Sequence, residues 1–334
     1  MKKCTMQDIA DALNISRVSV WKVFNNHEGV SEALKQQILQ TAKELNYNKI
    51  PEKEKNIKNR TICLIVSRPE SSIFWTNIIH DLAEKLSALG FTLAYVSIPT
   101  YYYEGYKLPS NLNKQNFDGA VIMNIYDTKI LRMVSKLDLP KVYLDSTTDI
   151  TGRDLIGDLL VIEGLDTIKA ITNHVLDKYN FNSLGFIGDI SYAKTNNDRF
   201  LGFVCAMKEH NIPVNYDYCL TQNIGIYEYS KVIDKFLDSL SAMPQALICA
   251  SDFVAQFVFD YFKRHPEINS EKIIVTGFDG STEYPDIIGK ITTAYVNTAK
   301  IGIRLARQIE YRVNNTSAPF EVTYLYPRIK YCDN

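Results

Sequence analysis

The chain has 334 residues, of which 46% are hydrophobic and 22% are charged, with a formal net charge of −1, so it can bury the cores of more than one domain. The six cysteines form no Cys-x-x-Cys pair and no apolar run reaches membrane-spanning length, so we predict a cytoplasmic protein with no metal, cofactor or membrane partner. Residues 1–60 carry a charge of +4 and the remainder carries −5, a division typical of a nucleic-acid-binding head on a larger body.

The N-terminal segment predicts three helices. Thr5 precedes the apolar-periodic stretch MQDIADAL, and Asp8 stands three residues later, a spacing that resembles a capping box. Ser16 is placed to cap a second helix, RVSVWKVFN, and Ser31 is placed to cap a longer third helix. Two short helices around a tight turn, closed by a longer one, predict a small all-α helix-turn-helix head over residues 1–47.

The rest of the chain divides into a linker and an α/β body. Residues 48–60 are polar, lysine-rich and poor in large apolar side chains, which predicts a linker. Beyond it, short β-branched runs alternate with helical stretches such as 75–89, 199–210 and 253–265. The predicted strands cover residues 61–67, 91–97, 118–123, 140–145, 159–163, 183–188, 245–250, 272–277 and 291–296. This alternation predicts parallel sheets covered by helices, and nine or more strands fit two lobes better than one.

A long, spaced set of residues runs through the head and continues into the body. In the head it comprises Thr5, Asp8, Ile9, Ala10, the Ile15-Ser16 turn, Val20, Val23, Asn25, Val30-Ser31 and the end Leu45-Asn46-Tyr47. In the body it comprises IFWTNIIHDLAEKLSALGFTL, NFDGAVIM, VYLDSTTD, DRFLGFVCAMKEHNIPV, IIVTGFDGSTEYPDI and ITTAYVNTAKIGIRLARQI. In these features the chain resembles the lactose-repressor/galactose-repressor family of bacterial transcriptional regulators over nearly its whole length.

The resemblance implies a two-lobed, parallel-sheet body of the periplasmic-binding-protein type I kind over residues 61–334. We expect lobe 1 to comprise about 61–160 and 292–320, and lobe 2 to comprise about 161–291 and 321–334. The resemblance also implies a homodimer, a pseudo-palindromic double-stranded DNA operator and a small-molecule effector that controls operator binding.

The start of the second helix should read DNA bases, because this part of a helix-turn-helix faces the major groove. Arg17 can make a bidentate contact to guanine, and Val18 can pack on a thymine methyl group. Lys22 can reach a base or a phosphate, but the family usually has Arg at this position, so the forked guanine contact is lost there. Trp21 stands where the family usually has Ser, and its indole can pack on the sugar-phosphate backbone or on the protein.

Four further head residues are candidates for phosphate contacts, which position a protein on DNA without reading the sequence. They are Thr5, Ser16, Asn25 and Tyr47. The alternative for each of them is an ordinary helix cap or surface residue.

The linker departs from the family pattern. Family members usually have Pro-Asn after the tyrosine, then an Ala-Arg pair and a leucine that wedges into the minor groove. Here the leucine position aligns with Asn56, and Ile57 follows one residue later. Either Ile57 serves as the wedge after a register shift, or Lys53, Lys55 and Lys58 contact phosphates alone.

The predicted effector residues lie just after strands, where ligands of parallel sheets bind. Asp145 and Asp279 follow two predicted strands, and both match family pocket residues, as does Arg199. The alternative is a structural ion pair between the arginine and a carboxylate. Ser251 and Asp252 replace the usual Asn-Asp pair and change the donors and acceptors of the cleft.

Aromatic residues complete the predicted pocket. Phe74 and Trp75 match the family pair that stacks on ligand rings, and packing at a helix N-terminus is their alternative. Tyr192 and Tyr284 are additional candidates. An arginine, carboxylates and flat aromatic rings suit a sugar or sugar derivative, although a nucleobase or another metabolite stays open.

These observations predict a sequence-specific transcriptional regulator, with repressor favoured over activator or dual regulator. An enzyme on the same α/β fold is less favoured, because the chain has no Gly-x-Gly-x-x-Gly, no P-loop, no Gly-x-Ser-x-Gly and no His-Glu-x-x-His motif. An exported solute-binding protein is disfavoured by the DNA-binding head and by an N-terminus unlike a signal peptide.

Overall fold

A computed structural model describes residues 4–24, 27, 29–45, 47, 60–67, 72–225 and 227–332. The chain divides into two compact units, Met1–Asn59 and Arg60–Asn334, which we call the head and the body. Among the described residues, no helix combines the length and the apolar character needed to cross a membrane.

The head contains three helices, α1 (Met6–Leu13), α2 (Arg17–Phe24) and α3 (Glu32–Glu44). The capping box predicted at the start of α1 is confirmed, since the Thr5 hydroxyl and the Asp8 carboxylate each accept a backbone N–H of the other residue. These reciprocal bonds satisfy two N–H groups that the first helical turn leaves without partners.

The two serine caps of the head are also present. The Ser16 hydroxyl accepts the Ser19 N–H at 3.1 Å, and the Ser31 hydroxyl accepts the Leu34 N–H at 3.3 Å. The helices enclose one small core formed by Ile9, Ala10, Val20, Val23, Phe24, Ile38, Ala42 and Tyr47. The turn between α1 and α2 uses Asn14 in the left-handed region, with a φ of 50°, a conformation that asparagine tolerates well.

The body contains two parallel sheets with helices on their faces. Its strands are β1 (Arg60–Val66), β2 (Phe91–Ser97), β3 (Gly119–Met123), β4 (Lys141–Leu144), β5 (Asp158–Ile162), β6 (Leu184–Ile187), β7 (Cys219–Leu220), β8 (Ala246–Cys249), β9 (Ile274–Asp279), β10 (Thr292–Tyr295), β11 (Val322–Leu325) and β12 (Arg328–Lys330). Its α-helices are α4 (Ile73–Ala88), α5 (Thr128–Ser135), α6 (Leu165–Tyr179), α7 (Lys194–Glu209), α8 (Tyr229–Asp238), α9 (Asp252–Arg264) and α10 (Thr298–Asn314).

Each sheet forms the centre of one lobe. The strand order is β11-β5-β4-β3-β1-β2 in lobe 1 and β12-β10-β9-β8-β6-β7 in lobe 2. All pairs are parallel except β10 with β12. The central strands are buried along their whole length, as their continuous apolar sequences predict.

The sequence-based lobe boundaries near the C-terminus differ from the observed sheets. The boundary at residue 292 assigned β10 to lobe 1, whereas β10 pairs with β9 in lobe 2. The boundary at residue 321 assigned β11 to lobe 2, whereas β11 pairs with β5 in lobe 1. The chain therefore crosses between the lobes after β5, after β10 and again after β11. An apolar strand pattern shows that a strand exists, but not which sheet it joins.

A buried ion pair holds the segment between α10 and β11 in lobe 1. Arg312 of α10 and Asp158 of β5 are 1% and 0% exposed, and the Arg312 Nε donates to the Asp158 Oδ2 at 3.0 Å. Arg312 also donates to the carbonyls of Ala318 and Pro319 at 2.7 and 2.8 Å. The guanidinium thus joins α10, β5 and the chain that leads into β11.

Candidate DNA-reading surface and effector cleft

The first turns of α2 expose apolar side chains on one face. Val18 is 60% exposed and Trp21 is 45% exposed, while Val20 and Val23 face the head core. Arg17 is exposed next to Val18. Arg17 and Val18, which were predicted to read DNA bases, are therefore accessible in the first turn of α2, and Trp21 is accessible one turn later.

Trp21 and Lys22 have further contacts within the head. The Trp21 indole stacks on the His27 imidazole, with ring centroids 4.8 Å apart and planes 15° apart. Lys22 is half-buried, with its Nζ close to Gly29. The stacking corresponds to the alternative in which Trp21 packs on the protein. The Trp21 side chain nevertheless remains 45% exposed.

The candidates for phosphate contacts occupy different environments. Thr5 and Ser16 are exposed, and both use their hydroxyls as helix caps. Tyr47 is 6% exposed and its ring stacks on Phe24, with ring centroids 5.3 Å apart. Its ring therefore belongs to the core of the head. Asn25 and the wedge candidate Ile57 lie outside the described residues, as do Lys53, Lys55 and Lys58.

A cavity of about 520 Å³ lies at the carboxyl ends of the strands, between the two lobes. Its volume falls within the usual range for small-molecule sites. Of the seven predicted effector residues, six line it: Phe74, Trp75, Asp145, Arg199, Ser251 and Asp279. The additional candidates Tyr192 and Tyr284 line it as well.

Arg199 is the central cation of this cleft. It extends from α7 and is 5% exposed, and its Nη1 donates to the Ala250 carbonyl at 2.6 Å. Its guanidinium lies 3.6 Å from the centre of the Phe278 ring, and its Nη2 is 3.8 Å from the Asp279 Oδ1. Among the described residues, its Nε–H has no hydrogen-bond partner. A buried donor without an acceptor is costly, so this group is suited to a ligand oxygen.

Asp145 connects the two lobes at the floor of the cleft. It follows β4 with a φ of 67°, and its carboxylate accepts the Ser146 N–H at 2.8 Å. The Thr195 hydroxyl of α7, in lobe 2, donates to the same carboxylate at 2.6 Å. Burial raises the pKa of Asp145 above its usual value, and these hydrogen bonds partly offset the rise.

Asp279 faces Arg199 from the end of β9. Burial raises its pKa to about 7, while the charge of Arg199 opposes the rise. Its backbone has a φ of 106°, unusual for a residue with a side chain. The carboxyl group is therefore partly protonated near neutral pH and can donate as well as accept a hydrogen bond.

Asp252 does not line the cavity and lies behind it. Its carboxylate accepts the Ser281 N–H at 2.6 Å and the Thr293 hydroxyl at 2.7 Å. Burial raises its pKa to about 6, and these hydrogen bonds lower it in part. The sequence predicted a residue that contacts the effector, whereas the structure places Asp252 as a support for the loop after β9. Ser251 lines the cavity, but its hydroxyl also caps α9 by accepting the Val254 N–H.

Aromatic rings cover both sides of the cleft. Phe74 and Trp75 meet edge to face with centroids 5.2 Å apart, at the start of α4. Tyr126 and Tyr192 form a second edge-to-face pair, with centroids 5.0 Å apart. Such rings present flat apolar faces to the CH groups of a sugar or to another ring.

Several lining residues were not predicted from the sequence: Tyr126, Asp189, Tyr229, Phe253 and Glu283. Tyr126 and Asp189 each follow the end of a strand, so the rule that found Asp145 also applies to them. Glu283 and Tyr229 lie farther from any strand end, and their sequence surroundings carry no comparable signal. Asp189 is 1% exposed and accepts the Ile224 N–H at 2.8 Å, so it organises a loop at the edge of the cleft.

Two family models match the chain. The model for bacterial regulatory proteins of the lacI family matches residues 5–49, which include the helix-turn-helix. The model for a periplasmic binding protein-like domain matches residues 173–331, which include most of lobe 2.

Similar proteins extend the match over nearly the whole chain. The HTH-type transcriptional repressor PurR of Histophilus somni (strain 2336) is 23% identical over 329 residues, which cover 97% of each chain. The repressor of the same name from Vibrio vulnificus (strain CMCP6) is 24% identical over 329 residues, which cover 97% of this chain and 96% of the relative.

Solved structures share the fold of this chain. The transcriptional regulator CelR–cellobiose complex has a TM-score of 0.71, 18% identity and 98% coverage of both chains. The lac repressor dimer bound to operator and the anti-inducer ONPF has a TM-score of 0.67, 16% identity and 98% coverage of both chains. A LacI-family regulator from Enterococcus faecium with bound ribose has a TM-score of 0.65 and 16% identity, over 81% of this chain and 97% of that one. These likenesses show a common fold.

Proposed function

Because this chain belongs to the lacI family of bacterial regulatory proteins, we propose that it is a transcriptional repressor whose operator affinity is set by a small molecule bound between its lobes. The family consists of DNA-binding regulators and not of enzymes. The repressor assignment is supported by the relatives that align over 97% of this chain, which are transcriptional repressors.

The observation that carries the effector proposal is that the buried guanidinium of Arg199 has an N–H without an acceptor among the described residues. This N–H is the one on Nε, and the guanidinium lies in the cavity wall. The distance between the Arg199 Nη2 and the Asp279 Oδ1 is 3.8 Å, which is long for a direct hydrogen bond. In a purely structural ion pair the Arg199 Nε–H would have an acceptor within the protein. We therefore infer that a ligand oxygen accepts this N–H.

We favour a sugar or sugar derivative as the effector. Arg199, Asp145 and Asp279 offer donors and acceptors to hydroxyl groups, and Phe74 and Trp75 offer flat faces to a ring. Two structures of the same fold support this choice, one a complex with cellobiose and one with bound ribose.

We place the DNA contacts on α2. Arg17 and Val18 are the base-reading residues, and Trp21 and Lys22 complete the contact surface. A homodimer that presents two heads to a pseudo-palindromic operator follows from the same proposal, and the lac repressor dimer bound to operator supports it.

A thermal-shift screen of sugars, sugar phosphates, nucleosides and purines tests the effector proposal, with Arg199→Ala and Arg199→Lys as paired variants. A ligand at about 100 times its Kd adds about 2.7 kcal/mol to the folded state, which raises the Tm by roughly 5–10 °C. We expect one chemical class to shift the wild type and neither variant.

The active compound is then titrated into a complex with an operator selected from random DNA. A change in operator affinity supports the whole proposal. If no compound shifts the wild type, or if wild type and variants shift alike, the cleft is not the effector site. The same screen decides between a sugar and a nucleobase.

A further inference from the structure

Glu283 joins the two lobes at the mouth of the cleft. It lies in the loop after β9, in lobe 2, and its carboxylate accepts the backbone N–H of Ile73, the first residue of α4 in lobe 1. The Ser72 hydroxyl and the Tyr284 hydroxyl donate to its other oxygen at 3.2 and 3.3 Å. Lobe 2 thus supplies a carboxylate to the N-terminus of a lobe 1 helix.

The N-terminus of an α-helix is a favourable place for an anion. Its first N–H groups have no partner within the helix, and the aligned peptide dipoles give this end a partial positive charge. Phosphate and carboxylate groups of ligands bind at such ends for this reason. α4 has 16 residues, and its second and third residues, Phe74 and Trp75, line the cleft. A ligand anion in the cleft would be drawn to the position that Glu283 fills.

The other charges of the cleft also disfavour a ligand anion. Four carboxylates line the cavity, those of Asp145, Asp189, Asp279 and Glu283, and Arg199 is the cation among the described lining residues. Arg199 already lies beside Asp279.

We propose that Glu283 occupies the anion position of α4 and thereby makes the cleft select uncharged, polyhydroxylated ligands over their phosphorylated or carboxylated forms. This proposal rests on the effector function proposed above, and it names a specificity residue and a ligand class for the same cleft. Glu283 acts by charge and by occupancy, because a phosphate group would have to displace a carboxylate held by two hydroxyls and a backbone N–H.

The chain contains its own reporter for a test. It has two tryptophans, Trp21 in the head and Trp75 in the wall of the cleft. In a Trp21→Phe background, indole fluorescence comes from Trp75 alone and reports binding next to the N-terminus of α4. Anions that bind to the basic head then leave no direct signal.

In this background we compare Glu283→Ala and Glu283→Gln with Glu271→Ala, which removes an exposed carboxylate of the same lobe. Each protein is titrated with inorganic phosphate, and with glucose, ribose and cellobiose beside their phosphate esters. We expect parent and control to bind neutral sugars at least about tenfold more tightly than the esters, about 1.4 kcal/mol. In both Glu283 variants this preference should fall below about threefold, and binding of inorganic phosphate should appear. Glu283→Gln keeps an acceptor for the Ile73 N–H, so it separates the effect of charge from a loss of structure.

The proposal is overturned if the parent binds phosphate esters as tightly as neutral sugars, or if both Glu283 variants still reject inorganic phosphate. If no sugar binds any of the proteins, the sugar effector proposed above is wrong. The phosphate titration still decides the role of Glu283 in that case, because binding that appears only in the Glu283 variants supports it.

Discussion

The carboxyl group of Asp279 couples the chemistry of the cleft to pH. Burial raises its pKa to about 7 from an ordinary value of 3.8. A carboxyl whose pKa is higher in the folded than in the unfolded protein takes up a proton on folding, so it lowers stability as the pH rises between these two values. Binding sites often contain such groups, because a cleft built for a ligand is not optimised for stability.

We expect Asp279→Asn to stabilise the body relative to the wild type increasingly as the pH rises from about 4 to about 7. The difference should reach at least about 1 kcal/mol, since one pKa unit corresponds to about 1.4 kcal/mol. Urea unfolding at several pH values measures it. Asp217→Asn, at an exposed position of lobe 2, should follow the wild type throughout. A difference that does not change with pH would mean that Asp279 is ionised over the whole range.

Arg312 illustrates a residue whose role is purely structural. Its guanidinium is paired with the fully buried Asp158 and with two carbonyls. Arg312→Met would leave that carboxylate buried without a counter-charge, which costs about 3–5 kcal/mol. Denaturant unfolding checks this, and Arg312→Met combined with Asp158→Leu should recover part of the loss. Lys114→Met, which breaks an exposed pair with Asp138, should change stability little.

At the scale of elements, the sequence predicted those features that local physics determines. The caps of α1, α2 and α3 depend on residues within three positions of each helix start, and all are present. The buried strands of both sheets appear within a few residues of their predicted bounds, because their apolar runs are continuous. The two-residue strand β7 carries too short a pattern to be found.

Features that depend on distant parts of the chain were not predictable in the same way. The sheet membership of β10 and β11 is set by neighbours far along the sequence, β9 and β5. Tyr47 is a candidate for a phosphate contact, and its ring stacks on Phe24 of α2, a contact that no local spacing indicates. Within the cleft, residues at strand ends were found, whereas Glu283 was missed because its contact lies on the opposite lobe.

The exposed face of α2 supports a prediction about base reading. Arg17→Ala should weaken operator binding by about 1–3 kcal/mol and remove the preference for one base pair in each half-site. Lys35→Ala removes a cation from α3. It should lower the affinity for all operator variants equally, or leave it unchanged. Fluorescence anisotropy with the selected operator and its single-base variants measures both. A uniform loss for Arg17→Ala would assign this residue to phosphate instead.

At the scale of the whole molecule, several polar contacts join the two lobes around the cleft. The Thr195 hydroxyl donates to Asp145, the Lys194 N–H donates to the Ser146 carbonyl at 2.9 Å, and Thr147 bridges to Ala193. An effector in the cleft adds contacts to both lobes at the same place. We therefore propose that the angle between the lobes is the two-state element through which effector and operator influence each other.

Thr195→Val tests this coupling, because it keeps the side-chain shape and removes the hydroxyl that donates to the buried Asp145 carboxylate at 2.6 Å. We expect effector affinity to fall by about 1–3 kcal/mol, the range for the loss of a hydrogen bond to a buried charged group. By linkage, the factor by which effector changes operator affinity must equal the factor by which operator changes effector affinity, before and after the substitution. Effector titrations with and without operator, and operator titrations with and without effector, measure all four affinities. Thr172→Val, which removes a buried hydroxyl bonded within α6 alone, should alter stability and leave this factor unchanged. If Thr195→Val also leaves unchanged the factor by which effector changes operator affinity, the coupling lies outside these inter-lobe contacts.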